Sequence, residues 1–203
     1  MQKDGGYFFD YFGRGGIIQG LRLPVGGMHN VENVVAAIAV TQLLDIPGAD
    51  VKAALSAFRG VHRRFEYVVR NESHVYIDDY AHHPEELAAL IRSAKRLFPR
   101  RRCVIAFQPH LFSRTRDLAD GFAHSLDLAD EVVLLDIYPA REQPMEGVSS
   151  QMIADRMENG AHTVMSKDAL LDYVRAAKPE LLITAGAGDI DKLVSGIRRI
   201  LEN

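Results

Sequence analysis

Short apolar runs alternate along most of this chain with longer segments whose apolar residues recur every three or four positions. After residue 65 the runs are typical of strands, and the periodic segments between them are typical of amphipathic helices. We predict strands over about residues 66–70, 74–79, 103–107, 131–136, 162–166 and 181–185. We predict helices over about residues 84–98, 116–127, 149–158, 167–177 and 189–202. Strands that alternate with helices indicate a mostly parallel, layered α/β domain.

The beginning of the chain has a different pattern. Residues 7–25 read as a hairpin or a meander with an aromatic first strand, followed by a helical pattern over about 31–43 and a shorter one over about 50–58. Two strands and two helices make a poor core by themselves. We therefore interpret residues 1–61 as the tail of a larger domain and residues 62–203 as a second domain.

Composition narrows the class of protein. The chain has 203 residues, 47% hydrophobic and 25% charged, which are ordinary values for a globular protein. Its net charge of −3 gives no electrostatic reason to expect nucleic acid as a partner. The longest apolar stretch, Val34 to Val40, is far shorter than the roughly 18 residues of a membrane span, and residues 1–6 lack the apolar region of a secretory signal. We expect a cytoplasmic protein in which Cys103, the single cysteine, is buried and inert.

Polar side chains cluster directly after two of the predicted strands. Asp78-Asp79-Tyr80-Ala81-His82-His83-Pro84 follows one strand, and Gln108-Pro109-His110-Leu111-Phe112-Ser113-Arg114-Thr115 follows the next. Ligands of open α/β sheets bind beyond the carboxyl ends of the strands. We therefore expect both segments to open on one crevice.

Each of these residues also has an ordinary structural interpretation. The paired histidines can cap a helix, the paired aspartates can form a turn, His110 can lie in a surface loop, and Arg114 can pair with Asp117. A metal-dependent hydrolase is a further alternative, because His82, His83 and His110 with an aspartate are plausible zinc ligands. Adjacent histidines rarely converge on one ion, however, and the chain has no metalloprotease motif.

A glycine-rich segment, Thr184-Ala185-Gly186-Ala187-Gly188-Asp189, lies between a predicted strand and a predicted helix. It lacks the Gly-Lys-Ser/Thr of a phosphate loop and the third glycine of the dinucleotide fingerprint. Close packing with Asp189 as the N-cap is at least as well supported as phosphate binding. No phosphate loop occurs in these 203 residues, so use of ATP would require a phosphate cradle upstream or on another polypeptide.

Five motifs, in order, resemble the Mur ligases. They are His29-Asn30-Val31-Glu32-Asn33, Arg63-Arg64-Phe65-Glu66, Asp78 to Pro84, Phe107 to His110 with Ser113-Arg114-Thr115, and Asp136-Ile137-Tyr138-Pro139-Ala140. The chain is most similar to the C-terminal part of the members that join L-alanine to UDP-N-acetylmuramate. The sugar-binding domain and most of the ATPase domain of those enzymes have no counterpart in it.

The resemblance implies a Rossmann-like C-terminal Mur ligase domain, preceded by the end of the central ATP-binding domain. The implied nucleotide-binding residues are His29, Asn30, Asn33, Arg64 and Asp78. The implied binding residues for L-alanine are Tyr80, His82, His110 and Arg114. The implied reaction uses ATP and Mg²⁺ and proceeds through an acyl phosphate of UDP-N-acetylmuramate, with no catalytic base and no protein metal ligand assigned in this chain.

Two further alternatives stay open. A murein peptide ligase, which accepts a tripeptide in place of L-alanine, has a similar motif after Asp78. A free-standing nucleotide-binding module is the other. Leu111 stands where alanine-adding members often carry arginine, so no substrate contact is assigned to it.

Overall fold

A hairpin and two helices open the chain, and alternating strands and helices follow. A computed structural model describes residues 5–202. The strands are β1 (Tyr7–Gly13), β2 (Gly16–Leu23), β3 (Glu66–Arg70), β4 (Val75–Asp79), β5 (Cys103–Phe107), β6 (Glu131–Leu135), β7 (His162–Met165) and β8 (Leu181–Ala185). The helices are α1 (Met28–Leu43), α2 (Gly48–Ala57), α3 (Pro84–Leu97), α4 (Phe112–Leu126), α5 (Gln151–Ala154), α6 (Lys167–Ala177) and α7 (Val194–Glu202), with a 3₁₀ helix over Asp189–Leu193.

The larger sheet has the strand order β3-β4-β8-β5-β6-β7. Only the β3–β4 pair at its edge is antiparallel, and the other neighbours are parallel. Every residue of β4, β5 and β8 is buried, as expected for a parallel sheet covered on both faces. The mostly parallel α/β fold is therefore confirmed, and each of its six strands lies within one residue of its predicted bounds.

Helices cover both faces of this sheet. On one face α3, α4 and α5 enclose a core in which the rings of Phe107 and Phe122 lie 5.2 Å apart. On the other face Leu170 of α6 and Ile197 of α7 pack over Tyr76 and Val104 of the sheet. Cys103 is buried in the first core, as predicted, and burial raises the pKa of its thiol to about 12.

The helix predicted over residues 149–158 is much shorter in the structure. It ends at Ala154. The Asp127 carboxylate then accepts the backbone N–H groups of Glu158 and Asn159 at 3.0 and 3.1 Å, which draws this segment out of the helix. In the described part of the chain, no helix has the length and apolar character needed to cross a membrane.

Residues 5–61 form a smaller unit with its own cluster of buried side chains. The cluster includes Leu21, Leu23 and Ile38, contributed by the hairpin and α1. Helix α1 buries little else: Val35 is 41% exposed and Leu43 is 83% exposed. The start of α1 lies against α3 of the larger domain, and this contact forms one side of the site described next.

Candidate functional site

A cavity of about 460 Å³ lies between the start of α1 and the loop after β4. Both parts of the chain contribute to its wall. Five of the residues named from the sequence line it, and they are His29, Asn33, Arg64, Tyr80 and His82. The fold therefore brings the first and third motifs together although some fifty residues separate them.

Asn30 and Asp78 do not line this cavity. Asn30 is buried in the first turn of α1, where its amide donates to the carbonyl oxygen of Gly26 at 2.7 Å. Asp78 is 1% exposed, and its carboxylate accepts from Arg63 Nε at 2.9 Å and from the Thr184 hydroxyl at 2.6 Å. Burial raises the pKa of Asp78, although both of these hydrogen bonds lower it. Both side chains thus make hydrogen bonds inside the protein, and their role in nucleotide binding stays a prediction.

Asp79, for which the sequence motifs imply no binding role, lies at the cavity wall. Successive strand residues point to opposite faces of a sheet, so Asp79 faces away from Asp78. Its carboxylate accepts the N–H of Phe65 at 2.7 Å and the N–H of Ala81 at 2.8 Å, and burial raises its pKa. It therefore fixes the loop that presents Tyr80.

Arg63, also missed, connects the segment between the two parts of the chain to the same loop. Besides pairing with Asp78, it donates from Nη2 to the carbonyl of Gly186 at 2.6 Å, and its guanidinium lies 5.2 Å from the centre of the Tyr80 ring. Its own carbonyl accepts the N–H of Tyr80 at 2.8 Å. The two adjacent arginines thus have different positions: Arg63 is buried, and Arg64 faces the cavity.

The loops after β4 and β5 meet, as the sequence predicts. Four rings form a row across them, with centre-to-centre distances of 5.3 Å from Tyr80 to His82, 6.4 Å from His82 to His110, and 5.8 Å from His110 to Tyr138. His83 instead begins α3, where its N–H and that of His82 both donate to Glu86. The helix-capping interpretation is therefore confirmed for His83, while His82 turns towards the cavity.

His110 and Arg114 each carry a buried nitrogen with no hydrogen-bond partner among the described residues, His110 Nδ1 and Arg114 Nη1. Arg114 lies in the first turn of α4, which begins four residues before its predicted start. It does not pair with Asp117, whose carboxylate binds Arg116 at 2.8 Å. Burial lowers the pKa of His110, and the nearby Arg114 guanidinium and His82 lower it further, so the neutral imidazole is favoured.

Residues 63–188, more than half of the chain, match the family described as Mur ligase, glutamate ligase domain. The chain belongs to the Mur ligase family. Two relatives, both UDP-N-acetylmuramate–L-alanine ligases, come from Flavobacterium johnsoniae and Porphyromonas gingivalis strain ATCC 33277. The first is 45% identical over 98% of this chain and the second 46% identical over 98%, with each match covering 44% of the relative. The chain therefore spans less than half the length of these relatives.

Solved structures agree with this assignment to the Mur ligases. The UDP-N-acetylmuramate–alanine ligase of Thermotoga maritima superposes with a TM-score of 0.70 at 34% identity, covering 90% of this chain and 39% of that one. A folylpolyglutamate synthase of Mycobacterium tuberculosis gives a TM-score of 0.71 at 20% identity, covering 96% of this chain and 44% of that one, and so shares the fold.

The glycine-rich segment of this Mur ligase chain is closely packed. A Cβ on Gly188 would lie 2.6 Å from Tyr138 Cβ, so a side chain there would force that segment to shift. The Gln108 amide accepts the N–H of Ile190 and donates to Asp189, and Lys167 also binds Asp189. The expectation that Asp189 is an N-cap is wrong, because its carboxylate is occupied by Lys167 and Gln108. The helix predicted over 189–202 accordingly starts with a 3₁₀ turn.

Metal-ligating side chains do not gather at this site. Across residues 5–202, no group of three or more His, Cys, Asp or Glu side chains is arranged to hold a metal ion. The ring centres of His82 and His110 lie 6.4 Å apart, and His83 is at the N-cap of α3. The described residues therefore do not form a zinc centre.

Proposed function

We propose that this chain is the C-terminal part of an ATP-dependent ligase that joins L-alanine to UDP-N-acetylmuramate. The observation that carries the proposal is its identity of about 45% to proteins of that name over nearly its whole length. In this proposal residues 1–61 are the end of the ATP-binding domain, and residues 62–203 are the amino-acid-binding domain. The exposed apolar side chains of α1 support that division, because the remainder of an ATP-binding domain would cover them.

The cavity at α1 is the proposed nucleotide side of the site. The Asn33 amide can donate to and accept from the edge of a base, with His29 beside it. The Arg64 guanidinium can bind phosphate oxygens. Asn30 and Asp78 act in the proposal by holding α1 and Arg63 in place, since Asn30 donates to Gly26 at the start of α1 and Asp78 accepts from Arg63 and Thr184.

The row of rings after β4 and β5 is the proposed amine side. Arg114 has a free donor for the carboxylate of L-alanine, and a guanidinium binds a carboxylate through two parallel hydrogen bonds. His110, favoured in its neutral form, can accept a hydrogen bond from the amine. The rings of Tyr80 and His82 lie next to it in the same row. In the proposal these groups hold L-alanine with its amine towards the nucleotide side.

In the proposed reaction, ATP phosphorylates the muramoyl carboxylate, and the amine of L-alanine attacks the resulting acyl phosphate and releases phosphate. This chain contributes positioning and exclusion of water, which supply much of the rate in such transfers. Mg²⁺ would neutralise phosphate charge, but the described residues offer no cluster to hold it. We assign no step of the reaction to a metal site in this chain.

The test is a chimaera in which this chain replaces the matching 44% of the F. johnsoniae ligase. We expect it to release phosphate from ATP only when both UDP-N-acetylmuramate and L-alanine are present, and to form the alanyl product by mass spectrometry. The parent ligase and the isolated chain are the controls. The isolated chain should be inactive, because it has no phosphate loop.

Three results would contradict this proposal. The first is a folded chimaera, verified by circular dichroism and ATP binding, that prefers a tripeptide to L-alanine, which would indicate a murein peptide ligase. The second is no ligation of either amine by that folded chimaera. The third is robust turnover by the isolated chain, which would mean that this chain itself binds the phosphates of ATP.

A further inference from the structure

The motif Asp136-Ile137-Tyr138-Pro139-Ala140 has no role in the proposed function so far, although it directly follows β6. Its backbone runs beside the segment that bears His110. The Tyr138 N–H donates to the Pro109 carbonyl at 2.8 Å, and the Leu111 N–H donates to the Tyr138 carbonyl at 2.9 Å. These two bonds form an isolated parallel bridge beyond the end of the β5–β6 pairing.

The bridge fixes an unfavourable backbone conformation. Leu111 has a φ of 72°, in the left-handed region that costs a residue with a Cβ about 1 kcal/mol or more. This turn directs the chain from His110 into α4, so Arg114 enters the site in the first turn of the helix. The hydrogen bond from Leu111 to Tyr138 holds the chain at that point.

The side chain of Tyr138 adds a second constraint. Its ring lies nearly parallel to the His110 imidazole, at 22° and a centre distance of 5.8 Å. On the other side Tyr138 packs against Gly188, where an added Cβ would come within 2.6 Å of Tyr138 Cβ. The ring is therefore held between the glycine-rich segment and His110.

Glu142 supplies the third constraint. Helix α4 has Leu111 at its N-cap, so no cap side chain satisfies its first N–H groups. Glu142 does so from the neighbouring loop, accepting from Ser113 N at 2.9 Å and from the Ser113 hydroxyl at 2.5 Å. These bonds lower the pKa of Glu142, and its negative charge also complements the helix N-terminus.

We propose that Tyr138 and Glu142 are positioning residues of the amine pocket: Tyr138 sets the plane of the His110 ring, and Glu142 sets the first turn of α4 that carries Arg114. This inference rests on the proposed function for its substrate, L-alanine. Neither residue needs to touch the substrate. Their effect is to hold two groups whose buried nitrogens, His110 Nδ1 and Arg114 Nη1, have no partner within the described protein.

The kinetic test uses the chimaera with the variants Tyr138→Leu, Tyr138→Phe and Glu142→Gln. Tyr138→Leu removes the flat ring, so we expect KM for L-alanine to rise about ten-fold with little change in kcat or in KM for ATP. Tyr138→Phe keeps the stack and should behave like the wild type. Glu142→Gln keeps one acceptor but loses the charge, and should raise KM for L-alanine on the order of five-fold. Glu146→Gln, an exposed acid in the same loop, is the matched control and should change nothing.

A second measurement does not depend on activity. In the 203-residue chain, NMR titration of His110 should give a higher pKa in Tyr138→Leu, because the uncovered ring is better hydrated. Arg114 in α4, His82 in the loop after β4, and Arg141 and Glu142 in the loop after β6 face His110 and stay in place in that variant. Glu142→Gln should move the pKa down, because a negative charge that favours the imidazolium is removed.

The outcomes separate this inference from the proposed function. An inactive wild-type chimaera would overturn the function, while the His110 titration would still test the positioning role. The inference is overturned if Tyr138→Phe behaves like Tyr138→Leu, if kcat falls while KM for L-alanine is unchanged, or if neither variant moves the His110 pKa. If Tyr138→Leu does not fold, Glu142→Gln alone tests the inference, because the Glu142 side chain lies at the protein surface.

Discussion

The two parts of this chain use apolar residues differently. Of the eleven large hydrophobic side chains that are exposed in the described residues, ten lie at or before Val61, and the remaining one is Tyr80. The larger domain buries 34 side chains in two cores on the two faces of its sheet, and residues 5–61 bury eight in one cluster. The larger domain therefore covers nearly all of its large apolar side chains, whereas the smaller unit exposes many of its own.

One large apolar side chain among the described residues of the larger domain is exposed. Tyr80 is 43% exposed in a domain that otherwise covers its large apolar groups, and it stands at the cavity between the two parts. Arg63 and Asp79 hold its loop in place: the Arg63 carbonyl accepts the N–H of Tyr80, and the Asp79 carboxylate accepts the N–H of Ala81. In the proposed function, exposure in residues 5–61 thus marks a surface that the rest of an ATP-binding domain would cover, and exposure at Tyr80 marks the candidate site.

The largest expected effect is at the ion pair of Arg63 with Asp78, which anchors the start of the larger domain to β4. Arg63→Met leaves the Asp78 carboxylate buried without its cation, and we expect unfolding free energy to fall by about 3–5 kcal/mol. Arg64→Met, at the exposed neighbour, should change it by less than about 0.5 kcal/mol. Urea unfolding of the 203-residue chain measures both. Equal effects of the two variants on the free energy of unfolding would contradict a supporting role for Arg63.

A pair of leucines tests the comparison of the two parts directly. Leu87 in α3 is fully buried, and its replacement by alanine should cost about 2–5 kcal/mol. Leu43 in α1 is 83% exposed, so Leu43→Ala should cost less than about 0.5 kcal/mol in the isolated chain. Reaction of Cys103 with a thiol reagent during urea unfolding reports the opening of the larger domain. A large cost of Leu43→Ala would mean that α1 is better covered than its exposure indicates.

The smallest effect concerns the charge of His110. Its pKa is lowered from the usual 6.5, so its contribution to folding is present above pH 6.5 and is lost as the pH falls through the lowered pKa. Arg114→Gln removes a neighbouring cation and should raise the His110 pKa in an NMR titration. Arg116→Gln, on the same helix but exposed and paired with Asp117, should leave it unchanged. A larger change of the His110 pKa in Arg116→Gln than in Arg114→Gln would mean that the Arg114 guanidinium does not lie near His110.

The local sequence was enough for the strands. Runs such as Cys103 to Phe107 are apolar at every position, which suits a strand with both faces covered, and all six were found within one residue. The motifs after Asp78 and Phe107 also predict that their side chains meet at the strand ends, because parallel strands bring those ends to one edge. They likewise predicted the Mur ligase family. The start of α4 was missed, because its cap comes from Glu142 in a distant loop.

Sequence alone therefore determined the order of the elements, the family and the edge of the sheet that carries the site, since these follow from side-chain periodicity and from residue types in fixed spacing. Only the tertiary structure decided which member of each polar pair faces the cavity. Asp78 and Arg63 turn inward while Arg64 lines the wall, because strand alternation and the left-handed turn at Arg63 set their directions. Hydrogen bonds between residues far apart in sequence, such as those of Tyr138 with the segment bearing His110, have no local signature.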